Sequence, residues 1–126
     1  MGLVDAAADA AESLGSRLSA QYSELDVKTG SADPTGYDLV VNATPLGMNE
    51  GDPLPIDMNL VAATTFVGEV VMKTAITPFL RAAQQRGCNT QVGTDMLFEQ
   101  IPAYLEFFGL KTTTPEVLRS VAKLSY

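Results

Sequence analysis

Histidine is absent from this chain. That removes the commonest acid–base side chain, the Ser–His nucleophile pairs and most zinc sites. Cysteine occurs once, as Cys88, so an intrachain disulfide is impossible and a reducing cytoplasm is the simple expectation. Without a histidine or an evident cationic neighbour, Cys88 reads as a small apolar packing residue and not as an activated thiolate. Positive charge is also scarce. Eight Lys and Arg stand against fifteen Asp and Glu, a net charge of -7, which argues against the basic patch that nucleic-acid binding requires. The acidic residues Glu12, Glu24, Asp26, Glu50 and Asp52 are scattered and read as solvated surface. No apolar run reaches the length of a membrane span, and the amino terminus lacks the basic-then-apolar form of a signal peptide. A glycine-rich phosphate turn of the Gly-x-Gly-x-x-Gly type is missing too, since Gly2 is the only glycine before Gly15.

What the sequence does contain is the material of one α/β domain. Its 126 residues, 46% of them hydrophobic and 18% charged, suit a single folded unit. Gly2 to Asp5 reads as the stump of a strand. Residues 6 to 21 read as a helix, with Ala7, Ala11, Leu14 and Leu18 at helical spacing. Leu25, Val27 and Thr29 alternate as in a strand, and Gly30 to Pro34 supply turn chemistry. Leu39 to Val41 is a short apolar strand of the kind covered by helices on both sheet faces. A polar loop over 49–57 leads to a short helix near Asp57 to Leu60, and Thr65 to Val71 forms the next strand. Thr77 with Pro78 opens a helix that Gly87 stops. Thr90 to Val92 is a brief strand, followed by a helix from Asp95 to Phe108 that Gly109 ends. Thr114, Pro115 and Glu116 open a last helix with Val117, Leu118, Val121 and Leu124 in one stripe. Strand and helix alternate, which predicts βαβ units and a parallel sheet.

Directly after the strand at Leu39 stand Asn42-Ala43-Thr44-Pro45-Leu46-Gly47-Met48. This run matches a segment of the shikimate and quinate dehydrogenases residue for residue. Val67-x-Glu69-x-Val71-Met72 with Thr77-Pro78-Phe79-Leu80, and Gly93 through Met96-Leu97 to Gln100, resemble two further segments of that family in the right order. The resemblance covers roughly residues 38 to 108, about half of the chain. It implies a partial Rossmann-type parallel sheet in three layers, αβα, lacking its first strand and Gly-rich loop. Residues 1–126 would then form a single incomplete dinucleotide-binding domain.

The resemblance also implies functions residue by residue. Ala43 and Thr44 line the cofactor groove for NADP or NAD, Gly93 and Met96 flank the nicotinamide ring, and Gln100 hydrogen-bonds a substrate hydroxyl. Glycine at such a place lets backbone approach a flat ring, and a neutral amide suits a polyol. Met96, Leu97 and Ile101 read equally as core positions. Asp5 has two readings: a carboxylate that holds the adenosine ribose at the end of a strand, favouring NAD, or a cap for the helix that follows. Glu69, Met72 and Thr74 stand where the family has aspartate, tyrosine and proline, which puts shikimate itself in doubt as substrate. Lys73 reads as a functional cation or as a solvated strand end.

No catalytic residue is assigned within the chain, because the family's proton-handling lysine and aspartate belong to an amino-terminal substrate domain. The activity implied is NAD(P)-dependent hydride transfer between a shikimate- or quinate-type alcohol and its 3-keto form, a step of aromatic amino acid biosynthesis. This stretch alone is expected to be inactive and to bind cofactor weakly. Its partners are then a small polyol or keto acid and a nicotinamide cofactor, without nucleic acid, membrane or metal. The strand at Leu39 has an unpaired edge, and Phe98, Tyr104, Phe107 and Phe108 cover more than one helix face, so a homo-oligomer is expected. The alternative is a non-catalytic α/β interaction or regulatory module derived from the same fold.

Overall fold

The computed structural model describes residues 1–124. Its elements run β1 (Gly2–Leu3), α1 (Ala8–Gln21), β2 (Lys28–Thr29), β3 (Leu39–Asn42), a 3-10 turn (Met58–Leu60), β4 (Phe66–Glu69), α2 (Pro78–Gln85), β5 (Thr90–Gln91), α3 (Gly93–Phe107) and α4 (Pro115–Val121). The helix starts follow local chemistry. The Thr77 hydroxyl accepts from the Leu80 N–H at 3.2 Å and Thr114 from the Val117 N–H at 3.4 Å, each with proline in the first turn. Asp57 caps the 3-10 turn through the Asn59 N–H at 2.9 Å.

Every strand pair is parallel. β1 pairs with β2, while β3, β4 and β5 form a second sheet in that order. Leu39 lies opposite Phe66, Asn42 opposite Glu69, and Val67 opposite Thr90. Residues of β1 and β3 face each other across one cavity, so the two sheets flank a strand position that no described residue fills. The sheets grow away from that gap in opposite directions, and right-handed crossovers then place α1 and α2 on opposite faces. This is the expected partial Rossmann-type αβα arrangement. The core lies under β4 and α2, where Val67, Phe79, Leu80 and Ala83 are buried with Met58, Val61 and Cys88. Cys88 packs there as a small apolar residue, its thiol 3.4 Å from the Ala62 carbonyl.

Several boundaries differ from the sequence reading, each for a local reason. The strand expected from Leu25 shrinks to Lys28–Thr29, because the Leu25 N–H closes a turn on the Tyr22 carbonyl. The strand expected over Thr65 to Val71 spans only Phe66–Glu69; the Thr65 N–H bonds back to Ala62. α3 begins two residues early at Gly93, since the Asp95 N–H already bonds to the Val92 carbonyl. Leu124 is not part of the α4 stripe, because extended backbone at Ala122 ends the helix. The largest correction concerns β3. Its side chains Leu39 and Val41 are 56% and 52% exposed, so one sheet face is open instead of helix-covered.

Candidate functional site

The carboxyl ends of β3 and β4 meet the start of α3, which is where an open parallel sheet presents ligand sites. The loop leaving β3 is held by one buried side chain. The Asn42 amide donates to the Leu46 carbonyl at 2.9 Å, and its oxygen accepts from the Thr44 N–H at 3.1 Å and the Thr44 hydroxyl at 2.7 Å. The Leu46 N–H in turn donates to the Thr44 hydroxyl at 3.1 Å. Gly47 takes a φ of 99°, left-handed backbone that a side chain would strain.

Asp52, read from sequence as solvated surface, closes this loop instead. One carboxylate oxygen accepts from the Gly47 N–H at 3.0 Å and the Asn49 N–H at 2.9 Å. The Asn49 N–H, aided by the other loop donors, holds its carboxyl below the usual range. No pattern in the sequence separated Asp52 from the other scattered acids; only the spacing of an aspartate behind a Gly-containing turn could have raised it.

Glu69 is the second residue whose role emerges only in three dimensions. It ends β4 with 4% of its surface exposed, and one oxygen accepts from the Thr77 hydroxyl at 2.8 Å. The other oxygen has no partner among the described residues. Burial pushes its pKa above the ordinary glutamate range, against the pull of the Thr77 hydroxyl. A carboxyl raised on folding contributes stability at low pH and loses it as pH rises through the raised value. Glu69→Gln stays neutral at every pH. Its stability relative to the parent, measured by urea melts at acid and neutral pH, should therefore increase with pH, by at most about 1.4 kcal/mol per pH unit. A difference that stays flat with pH would contradict an ionising Glu69.

Gly93 starts α3 hard against β4. A Cβ built there would lie 2.1 Å from the Val71 carbonyl oxygen. The glycine therefore permits a backbone approach that no other residue allows. Asp95 and Glu99 on α3 both bind Arg119 of α4, at 3.1 Å and 2.9 Å, with the guanidinium 5.4 Å above the Phe98 ring. Arg119 thus fastens α4 over α3, a role the sequence pattern did not suggest.

Two cavities follow the sheet edge. The first, about 420 Å³, lies between β1 and β3 and has Asp5, Asn42, Ala43 and Thr44 at its rim. The second, about 430 Å³, is bounded by Ala43, Thr44, Met48, Val71, Met72 and Lys73. Ala43 and Thr44 line both, so the two cavities adjoin at this loop along the carboxyl edge. Lys73, expected as a solvated strand end or a functional cation, borders the second cavity and is exposed.

The residues singled out from sequence are distributed as follows. Asp5 follows β1 and borders the first cavity; its carboxylate accepts from the Ala7 N–H at 2.8 Å in the turn before α1, whose cap position is Ala7 and not Asp5, so the helix-cap reading does not hold. Ala43 and Thr44 form the shared wall. Gly93 abuts Val71, which borders the second cavity. Met96 is half-buried on α3 and Gln100 lies one to two turns further on, about 10 Å along the axis from Gly93. The Gln100 carbonyl accepts from the Tyr104 hydroxyl at 3.1 Å, and its amide donor has no hydrogen-bond partner among the described residues. Neither Met96 nor Gln100 borders the groove itself. Among the described residues no cluster could hold a metal ion, and no helix is long and apolar enough to cross a membrane.

No protein-family model matches the chain. Curated proteins and solved structures do. The shikimate dehydrogenase (NADP(+)) of Paracoccus denitrificans is 38% identical over 85 residues, 67% of this chain and 30% of that protein. The quinate dehydrogenase of Corynebacterium glutamicum, solved in complex with NAD, superposes with a TM-score of 0.79 at 28% identity, covering 94% of this chain and 44% of its own. The ligand-free 5-ketofructose reductase of a Gluconobacter species gives a TM-score of 0.82 at 26% identity over 94% of this chain and 45% of its own. The chain thus spans less than half the length of each.

Proposed function

We propose that this chain, which belongs to the shikimate/quinate dehydrogenase family, forms the nicotinamide side of an NAD(P)-dependent oxidoreductase acting on a shikimate- or quinate-type ring alcohol and its 3-keto form. The observation that carries the reading is the pair of cavities sharing Ala43 and Thr44, the second of them bordered by Val71 where Gly93 approaches it. A bound nicotinamide supplies the hydride acceptor, and the protein supplies its seat. Thr44 contributes wall and not a free hydroxyl, because its oxygen is committed to Asn42 and Leu46. Gly93 and Met96 flank the ring, and the amide donor of Gln100 meets a substrate hydroxyl. Asp5 serves the adenosine ribose. The cofactor is NADP or NAD.

Residues 1–126 act in this reading as a single incomplete dinucleotide-binding domain. The proton that leaves the alcohol passes to a base in a substrate domain outside the chain, so residues 1–126 alone bind cofactor weakly and do not turn over. The setting is the cytoplasm. Self-association with a second copy uses the apolar surface of α3 and the segment after it, where Phe107 is 82% and Phe108 71% exposed. Light scattering of the purified chain should show a dimer or larger species that Phe107→Asp dissociates; a monomer at high concentration would overturn this part.

The activity itself is tested in a chimera that joins the chain behind the amino-terminal half of the Paracoccus relative. It should reduce NADP+ or NAD+ with shikimate or quinate, while the 126-residue chain alone should not. A folded chimera inactive on both alcohols would overturn the reading.

A further inference from the structure

Among the described residues, Glu69 alone has a buried side-chain polar atom without a hydrogen-bond partner, its Oε1. A buried acceptor left in this state is costly and calls for an explanation. Its surroundings are specific. Oε2 accepts from the Thr77 hydroxyl at 2.8 Å, and that hydroxyl accepts from the Leu80 N–H at 3.2 Å, so this oxygen is fastened to the first turn of α2. Across the β3–β4 ladder Glu69 lies opposite Asn42. The Asn42 amide stands near enough to favour the charged carboxylate, yet it does not reach hydrogen-bond geometry with Oε1. Asn42, Glu69 and Thr77 are 3%, 4% and 0% exposed, so all three lie away from bulk water. Gly47, at the far end of the same loop, backs onto Thr77: a Cβ built there would lie 3.5 Å from the Thr77 Cβ.

A side-chain amide carries two N–H groups. One from Asn42 goes to the Leu46 carbonyl at 2.9 Å, and the other has no partner among the described residues. An unused donor and an unused acceptor thus lie one ladder step apart. We propose that Glu69 is a positioning residue for the cofactor edge: its ionised carboxyl draws the second Asn42 N–H onto Oε1 while Oε2 keeps Thr77, and so fixes the Ala43–Thr44 wall against the start of α2. The cofactor part of this statement rests on the reading above. Glu69 borders neither cavity, so it acts through Asn42, which holds the Thr44 N–H and the Leu46 carbonyl. The charge matters because a hydrogen bond to an ionised group is about twice as strong as one between neutral groups. With Glu69 neutral, Asn42 holds the loop with little help from β4.

Other ionisable groups are placed so that they do not blur this response. β3 and β5 carry none. α2 carries Arg81, which is exposed, and the first turn of α3 carries Asp95, which Arg119 binds. Asp38 and Cys88 lie at the amino end of the sheet, away from Glu69. Lys73, beyond the end of β4, is exposed. In the loop itself, the Asn49 N–H holds the Asp52 carboxyl below the usual range, whereas burial holds Glu69 above it. Asp52 is therefore already charged where Glu69 titrates. No charged side chain contributes to the Glu69 shift, which burial opposes to the Thr77 and Asn42 hydrogen-bonding groups. If the carboxylate tightens the wall, a cofactor bound there must in turn make Glu69 easier to ionise, by the same factor.

The unsubstituted chain tests the link first. NMR follows the carboxyl carbon of Glu69 from about pH 4 to about pH 9, with the Thr44 and Leu46 amides recorded alongside. Both amides should shift at the Glu69 midpoint, while the Gly47 and Asn49 amides follow Asp52 at lower pH. The shifts at the Glu69 midpoint should vanish in Glu69→Gln and in Asn42→Ala. Thr44 and Leu46 amides that ignore the Glu69 titration would overturn the link, and a response that survives in Asn42→Ala would overturn the route through Asn42. NADPH affinity is then measured by fluorescence in the chimera, with and without Glu69→Gln, so that the cofactor's own titration cancels in the ratio. The ratio of parent to variant affinity should rise about fivefold or more as Glu69 ionises, and bound NADPH should lower the Glu69 midpoint by the logarithm of that factor. A Glu69 that only supports the fold would change the melting temperature and leave the ratio flat with pH, which overturns the positioning role. A loop that follows Glu69 in a folded chimera that binds no NADPH keeps the link to Asn42 and overturns the cofactor reading instead.

Discussion

Gly93→Ala is expected to lower both stability and function, more than any other single methyl group added at this edge. The new Cβ would lie 2.1 Å from the Val71 carbonyl oxygen, 2.7 Å from its carbon and 2.9 Å from the Val70 carbonyl carbon. These are backbone atoms, so no rotamer change relieves the clash, and α3 must back away from β4. Overpacking of this kind costs about 1–3 kcal/mol, which lowers the melting temperature by several degrees. The functional loss should be larger. Displacing the start of α3 by about 1 Å moves a wall of the proposed nicotinamide seat, and misplacement on that scale costs about a hundredfold in rate. The matched control is Gly68→Ala, whose Cβ would meet only the Gln91 and Val41 side chains at 4.0 Å. Thermal melts of both variants, with turnover in the chimera, separate the cases. A Gly93→Ala protein that melts and turns over like Gly68→Ala would show that the approach to Val71 does not matter.

The second large effect concerns Asn42. Its side chain makes three hydrogen bonds within the loop that walls the groove, and 3% of its surface is exposed. Asn42→Ala leaves the Leu46 carbonyl and the Thr44 N–H without those partners. Both groups are only half-buried, so each one left unpaired costs about 1 kcal/mol, the low end of the range for buried groups. Hydrogen exchange should report the change locally, with faster exchange at Thr44 and Leu46 before the core at Val67 and Leu80 responds. Asn42→Asp keeps the acceptor but sets a second carboxyl opposite Glu69 in the β3–β4 register. It should recover stability only at acid pH, where both groups are neutral. Unchanged exchange at Thr44 in Asn42→Ala would mean that the loop holds its shape by other contacts.

The sequence revealed much of the framework because its signals are local. Thr77 with Pro78 and Thr114 with Pro115 mark helix starts through chemistry that needs no distant partner. The parallel pairing follows from alternation, since strands joined through a helix cannot pair as hairpins. The family resemblance singled out Ala43, Thr44 and Gly93, which the structure sets along one sheet edge, and the glycine gains a physical reason only when Val71 is seen beside it. Asp52 and Glu69 were not legible. Both are acids in a chain rich in acids, and what distinguishes them is where the chain returns: Asp52 to the N–H groups of its own loop, Glu69 to the hydroxyl of Thr77. The exposure of Leu39 and Val41 was hidden for the opposite reason. An apolar run reports that a strand is suited to being covered, and no described residue covers this face.

The central claim is that the carboxyl edge around Ala43, Thr44 and Gly93 seats a nicotinamide. Its most direct test is an amide NMR titration of NADPH into the chimera, with amides of residues 1–126 assigned. The expected result is saturable shifts at Ala43, Thr44, Gly93 and Met96, with residues of α4 unmoved. Saturable shifts confined to other surfaces, with those four amides silent, would contradict it.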